Sequence, residues 1–366
     1  MRIETDRKTL RDALTGLRKT MPRVRGMPRC VNFEVRDGQA LAAAGGISEC
    51  AARKLGPGKG SGSAAVCLDD LSPLSKGAGS ERIEIDFDGS NAVLRAFVGG
   101  QAIEQSAACP STGENALVGP AIETAPAPGL LSKIRRAAPS ADREAVRDYL
   151  RGICLDSREN RVVASDGHRL TAIEGIGMDV SGRPIVPATD FACWKRLGDA
   201  ARIGFGEEES RAWVRIETED WIWQARCLAG EFPNWRQVVP DAAECEIELG
   251  RTDAALLERV LPSLPGGRSA NRPVALRGLE DGVYLLSPAG DGEWSELRLE
   301  SSVRIGSGTI VFDRALLLDA LAAGFRSLRF ADKHSPALFD DGAGAMHVLM
   351  PLRIEVPEAE RAAKAA

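Results

Sequence analysis

Gly152-Ile-Cys-Leu-Asp156-Ser-Arg-Glu159-Asn160-Arg161-Val-Val163-Ala164-Ser165-Asp166-Gly167-His168-Arg169-Leu170 reads as three short strands joined by two polar turns. Glu159-Asn160 separates two apolar runs. Asp166-Gly167 is a turn pair, because glycine tolerates positive φ and aspartate hydrogen-bonds its own backbone. His168 and Arg169 then begin the third strand. Alone, such a stretch is a hairpin with a surface histidine. Its weight comes from the fact that the chain writes a similar unit three times.

The first copy contains Val31-Asn-Phe-Glu-Val-Arg-Asp37-Gly38-Gln-Ala-Leu, and the third Val274-Ala-Leu-Arg-Gly-Leu-Glu-Asp281-Gly282-Val-Tyr-Leu-Leu. Asp-Gly between alternating apolar residues is a strong hairpin signal. An amphipathic helix precedes each copy: Leu10, Leu14, Leu17; Leu130, Ile134, Ala137; Leu257, Leu261, Leu264. Spacing of i, i+4, i+7 places one apolar stripe on each. A strand around Val66, Val186 and Val311 follows, 120 and 125 residues apart. Each runs into an acidic N-cap position (Asp69, Asp190, Asp313) and a second helix, expected at Leu71 to Lys76, Phe191 to Leu197 and Ala315 to Ala322. Two alternating strands close each unit. Agreement of several landmarks on one period decides the architecture. The expectation is an α+β fold of three tandem two-helix, antiparallel-sheet domains over 1–118, 119–243 and 244–354, with a tail at 355–366. Residues 109–129 and 239–250 read as linkers. Gly56-Pro-Gly-Lys-Gly-Ser-Gly-Ser63 reads as a flexible loop, because Gly58-Lys59 lacks the Ser/Thr and the spaced glycine of a phosphate loop.

With 366 residues, 44% hydrophobic and 27% charged, the chain is long enough for two or three cores. No apolar run approaches the roughly 18 residues of a membrane span, and Met1-Arg2-Ile3-Glu4-Thr5-Asp6-Arg7 lacks the apolar stretch of a secretory leader. Eight cysteines, spread singly with no C-x-x-C pair, fit a reducing cytoplasm better than a disulfide scaffold or zinc site. Net charge is −5, but residues 1–29 carry +6 and residues 129–151 carry +3, leaving −14 for the rest. Basic stripes on an acidic body attract phosphate on one face and repel it elsewhere.

Catalytic signals are sparse. The three histidines (His168, His334, His347) have no helical metal spacing, no serine sits in a G-x-S-x-G elbow, and no G-x-G-x-x-G opens a helix. No catalytic residue, metal or cofactor is therefore expected. Three copies continued edge to edge, and closed by dimerisation, would make a ring with helices inside and sheets outside. Basic inner helices would hold duplex DNA by its phosphates without reading sequence.

Ala164-Ser165-Asp166-Gly167-His168-Arg169-Leu170, Phe232-Pro233-Asn234-Trp235-Arg236-Gln237-Val238, Met350-Pro351-Leu352-Arg353 and, more weakly, Ser140 to Gly152 carry a resemblance. In their order and spacing the chain resembles the sliding-clamp family, the β subunit of bacterial DNA polymerase III, over essentially its whole length. The resemblance implies a non-enzymatic processivity factor: a head-to-tail homodimeric ring around double-stranded DNA, cytoplasmic, loaded by an ATP-driven loader. It also implies a pocket for short peptide motifs of DNA polymerases and the clamp loader. Its wall would be Leu150, Ser165, Gly167, His168, Arg169, Leu170, Pro233, Val238, Pro336, Val348, Met350, Pro351 and Leu352, with His168 and Arg169 as polar handles at the rim. The implied DNA contacts are Arg23, Arg25, Lys133, Arg136, Arg147 and Tyr149.

Departures accompany the resemblance. Gly26-Met27-Pro28-Arg29-Cys30 puts a charge where the family has an aliphatic residue, Trp235 replaces a common tyrosine and Gln237 a common arginine. Residues 355–366 extend beyond the usual end and begin beside the pocket, which they could cover. These features imply a divergent clamp, with an accessory paralogue serving repair or a mobile element as the alternative. A rival from another class is an enzyme with a site around Asp166 and His168, in which His168→Ala would abolish turnover.

Overall fold

The computed structural model describes residues 1–22, 24–77, 81–110, 119–199, 201–264, 271–290 and 293–357. The chain divides into two compact units, Met1–Arg135 with Ile176–Ala229, and Arg136–Gly175 with Gly230–Ala366. Both are α+β, and the strand pairings registered in them are antiparallel.

In the first unit one sheet runs Gln101–Ala108, Asn91–Val98, Arg82–Phe87, Arg2–Asp6, Glu49–Lys59, Trp221–Arg226, Arg211–Glu217, Arg202–Glu208, Ala125–Pro126. Cys30–Arg36 lies off this path, between Gln39–Gly45 and Gly62–Cys67. Asp37 and Gly38 both take positive φ (51° and 76°), the geometry of a tight two-residue hairpin turn. Glu49–Lys59 and Gly62–Cys67 are strands up to a turn at 60–61, so the glycine-rich stretch is not the flexible loop the composition predicts. Glycine serves close packing there: a Cβ on Gly58 would lie 2.7 Å from Val35. Asp6 caps the Arg7–Leu17 helix, its Oδ1 accepting from Thr9 N at 2.9 Å, and Leu10, Ala13, Leu14 and Leu17 are buried beneath it.

Two expected helices are shorter than their patterns. Leu68–Leu71 forms a single turn with Asp69 and Asp70 in it rather than at the cap, and Pro73, which has no N–H, ends it early. Phe191 to Leu197 is mostly turn, closing in a Lys195–Leu197 3-10 segment before Gly198 at φ 77°. Aromatic packing overrides helix formation there. Trp194 is extended, and its ring meets Trp221 edge-on at 5.4 Å while Phe191 meets Trp221 at 5.1 Å.

In the second unit eight consecutive strands of one sheet run Gly152–Asp156, Arg161–Ser165, Arg169–Glu174, Ala345–Leu349, Ala337–Asp340, Ser327–Phe330, Cys245–Glu248, Val303–Ile305. A separate sheet runs Glu293–Leu299, Gly282–Gly290, Pro273–Leu279, Gly308–Asp313. Leu279 pairs with Gly282, so the turn is Glu280-Asp281, one residue before the expected Asp-Gly. The Arg251–Val260 and Arg314–Ala322 helices belong to this unit, the latter capped by Asp313, which accepts from Ala315 N at 2.8 Å.

Candidate peptide cavity and basic residues

The pairing of Arg169–Glu174 with Ala345–Leu349 is the step that builds the site. Its register sets Arg169 opposite Leu349 and Leu170 opposite Val348, and Met350 N donates to His168 O at 2.9 Å. The 166–169 turn is thereby fastened to the chain's C-terminal strand. Inside the turn Asp166 does the organising: Oδ1 accepts from His168 N and Arg169 N, each at 2.8 Å, and Oδ2 from Arg169 Nε at 2.9 Å. Gly167 takes φ 90°, a conformation that other residues reach only with strain.

Beside this turn lies a cavity of about 230 Å³ lined by three further segments: Arg147, Tyr149 and Leu150; Phe232 to Trp235 with Val238; and Val348 with Met350. Trp235 anchors the second of these. Its Nε1 donates to Asp156 Oδ2 at 3.1 Å, and both residues are buried. Phe232 meets Tyr149 edge-on at 6.4 Å, and Arg147 Nη1 donates to the Tyr149 hydroxyl at 3.1 Å. Leu150, Leu170, Pro233, Val348 and Met350 give the cavity an apolar wall, to which Arg147, Tyr149, Ser165, His168, Arg169 and Asn234 add polar groups. Met350 and Val238 remain partly exposed, at 38% and 43%.

Of the expected wall residues, Leu150, Ser165, Gly167, His168, Arg169, Leu170, Pro233, Val238, Val348 and Met350 line this cavity. Pro336, Pro351 and Leu352 are not among its lining residues. After Met350 the chain turns away: Leu352 N donates to Val311 O at 2.8 Å, and Leu352, Ile354 and Val356 pack on Ala275, Tyr284, Leu286 and Val311. Arg277, itself buried, donates to the Pro357 carbonyl at 2.5 Å. The described start of the tail is thus laid on the neighbouring sheet, not over the cavity.

Arg169 lines the cavity and also fixes the turn's shape: its guanidinium is held by Asp166, by Asp319 Oδ2 at 2.5 Å and by the Pro139 carbonyl. Behind it sits His347, buried, with Nδ1 2.9 Å from Thr171 Oγ1, which in turn meets Ser140 Oγ at 2.6 Å. Its ring stacks on Phe325 at 5.4 Å. Burial, and then the Arg169 charge, push the imidazole down to about 3. The unfolded chain takes up this proton near pH 6.5, whereas the folded unit resists it. Stability from this group is therefore complete above pH 6.5 and is lost as pH falls toward 3, by at most about 1.36 kcal/mol per pH unit. His347→Phe is expected to flatten the upper part of that loss in urea titrations at stepped pH; an unchanged slope would refute the assignment.

The expected DNA contacts are divided between the two units. Arg23 lies outside the described residues. Arg25 is exposed in a loop where Val24, Arg25, Met27 and Arg29 border an open cavity of about 480 Å³. Lys133 is half-buried in the Leu130–Ala137 helix. Arg136 bonds the Ala323 carbonyl and Asp341 Oδ2 (2.7 Å) and lies 4.8 Å from the Phe325 ring centroid. Arg147 and Tyr149 line the cavity. Sequence reading also left Phe232, Asn234 and Trp235 out of the wall, although their motif was in view; the pairing of Trp235 with Asp156 is what turns that motif inward.

No family model matches the chain. It is 25% identical over 239 residues to the β sliding clamp of Vibrio cholerae, covering 62% of this chain and 63% of that protein. It is 28% identical over 223 residues to the β sliding clamp of Escherichia coli K12, covering 57% and 59%. The chain thus spans about three fifths of the length of the curated relatives it matches. Among solved structures, the Pseudomonas aeruginosa sliding clamp bound to griselimycin superposes with a TM-score of 0.78 at 18% identity, covering 97% of this chain and all of that one. The DNA polymerase III β subunit of Thermotoga maritima gives 0.79 at 19% identity, with the same coverage. The chain therefore has the fold of the bacterial β sliding clamps and is a divergent relative of them in sequence.

Proposed function

We propose that the protein is a DNA sliding clamp, a non-enzymatic processivity factor of the bacterial cytoplasm. The observation that carries this is the cavity assembled from residues 147–150, 165–170, 232–238 and 348–350: an apolar wall with a few polar side chains in its lining suits a short linear peptide better than a substrate needing chemistry. Asp166, whose carboxylate accepts from the His168 N–H, has both oxygens engaged in the turn, which disfavours an acid–base role. The partners on this reading are double-stranded DNA, DNA polymerases and a clamp loader, the last two through peptide motifs.

The same reading takes the chain as three consecutive domains, 1–118, 119–243 and 244–354, closed into a ring by a second copy. Two strands are suited to that closure. Gln101–Ala108 ends its sheet, is almost wholly exposed and carries Ile103; Glu293–Leu299 ends another and is exposed along most of its length. Head-to-tail pairing of one with the other would satisfy both edges. Light scattering is the test: a mass of about twice 39.0 kDa is expected, and a species that stays at the monomer mass at high protein concentration would refute the ring.

For DNA we favour Arg25, which is exposed, over Arg136, whose cation already has a carboxylate and a ring for company. Arg25→Ala is expected to weaken retention on circular duplex and lower the slope of log affinity against log salt by roughly one unit. A slope equal to the parent's would exclude Arg25 as a phosphate contact.

A further inference from the structure

Cys30 opens the Cys30–Arg36 strand, Cys67 closes the Gly62–Cys67 strand, and the two stand opposite each other in antiparallel register. Leu68 N donates to Arg29 O at 2.8 Å, and a bond in that flanking position makes Cys30 and Cys67 a non-hydrogen-bonded pair. Such pairs bring Cα atoms to about 4.5 Å with the side chains close together. A disulfide bridges Cα atoms roughly 4.4–6.8 Å apart. The two sulfurs are already 3.6 Å apart, and both residues are half-buried, within reach of a small reagent.

We propose that Cys30 and Cys67 form a reversible disulfide with a low-molecular-weight disulfide as oxidant, restraining the basic loop that leads into Cys30. One cysteine thiolate attacks a sulfur of the reagent and expels one thiolate, which takes up the proton. The second cysteine then attacks the protein-bound sulfur and expels the other. Two protein thiols are oxidised, and one small disulfide is reduced to two thiols. Little backbone movement is required, since the strands are already paired in the register that the bond needs.

The loop held by this bond carries Val24, Arg25, Met27 and Arg29, and its last residue is tied to Leu68 by the Arg29 carbonyl bond noted above. Burial and the neighbouring Cys67 thiol push Cys30 up to about 11. Attack by Cys30 is therefore slow at neutral pH and quickens in alkali, as its thiolate forms. In a reducing compartment the bond would be transient, a sensor rather than a staple. None of this depends on the clamp reading.

The experiment treats the whole protein with oxidised glutathione at mildly alkaline pH, blocks free thiols and maps non-reduced peptides by mass spectrometry. The expected product joins the Cys30 and Cys67 peptides without retained glutathione, returns to two thiols with dithiothreitol, and is cut severalfold more slowly by trypsin after Arg25. Cys30→Ser and Cys67→Ser should each prevent closure and keep the reduced form's cleavage rate. Glutathione held on either cysteine, or both thiols unchanged while other cysteines react, would overturn the site. Closure with unchanged trypsin cleavage would overturn the restraint of the loop.

Discussion

Gly16→Ala is expected to destabilise the first unit by about 1–3 kcal/mol, the range for forcing a methyl into a full core. Helix propensity alone argues the opposite, since alanine in a helix interior is favoured over glycine by about 1 kcal/mol. Space decides. A Cβ on Gly16 would lie 2.3 Å from Trp221 Cη2 and 2.7 Å from Trp194 Cζ3. Trp221 is not free to retreat, because it is buried, flanked by Phe191 and Trp194, and has Arg53 over its face at 5.5 Å. Arg53 is in turn fixed by ion pairs to Asp12 (3.3 Å) and Asp220 (2.5 Å). Urea unfolding followed by tryptophan fluorescence measures the change. A variant as stable as the parent would mean the aromatic cluster is looser than these distances require.

Met350→Glu is the counterpart at the cavity. Met350 is partly exposed and contributes its side chain to the slot, while its backbone N–H holds the 166–169 turn and survives the substitution. A carboxylate there would meet the apolar portion of any bound peptide. The expected loss is about 2 kcal/mol, roughly 30-fold in Kd, the size of a contact at the centre of an interface. Fluorescence anisotropy with labelled peptides from a polymerase and a loader subunit of the same organism reads it. His168→Ala should cost only a few-fold, since its carbonyl, not its ring, makes the bond to Met350. Unfolding of the Met350 variant should match the parent's, which separates lost binding from lost structure. Equal peptide affinities in parent and variant would show that the peptide is received elsewhere.

What could be read from residues alone was whatever is written locally or periodically. The short apolar runs in Arg161–Ser165 and Arg169–Glu174, the turn chemistry of Asp37-Gly38 and Asp166-Gly167, and the apolar stripe of Leu10, Leu14 and Leu17 all state their structure within a few positions. Harder to read was whatever depends on a distant neighbour. Phe191 to Leu197 has a helical pattern, but Trp221, far along the chain, claims its aromatic residues. Pro351 and Leu352 follow Met350 directly and look like one wall, yet a bond to Val311 draws the backbone aside. The partners that hold Arg169, Asp319 and Pro139, lie 150 and 30 residues from it and so are not legible in its own segment. Arg147 and Tyr149 carry the residue types of a phosphate contact, and nothing in their immediate sequence says that they also line the cavity.

The segment from Leu352 to Pro357 has a practical corollary for anyone shortening this chain. Removing it would wet an aliphatic and aromatic strip on the Pro273–Leu279, Gly282–Gly290 and Gly308–Asp313 strands, and would leave the Arg277 guanidinium one acceptor short. A chain cut before Leu352 would thus become adhesive, clumping through that bared strip, whereas a cut after Pro357 would keep the cover in place.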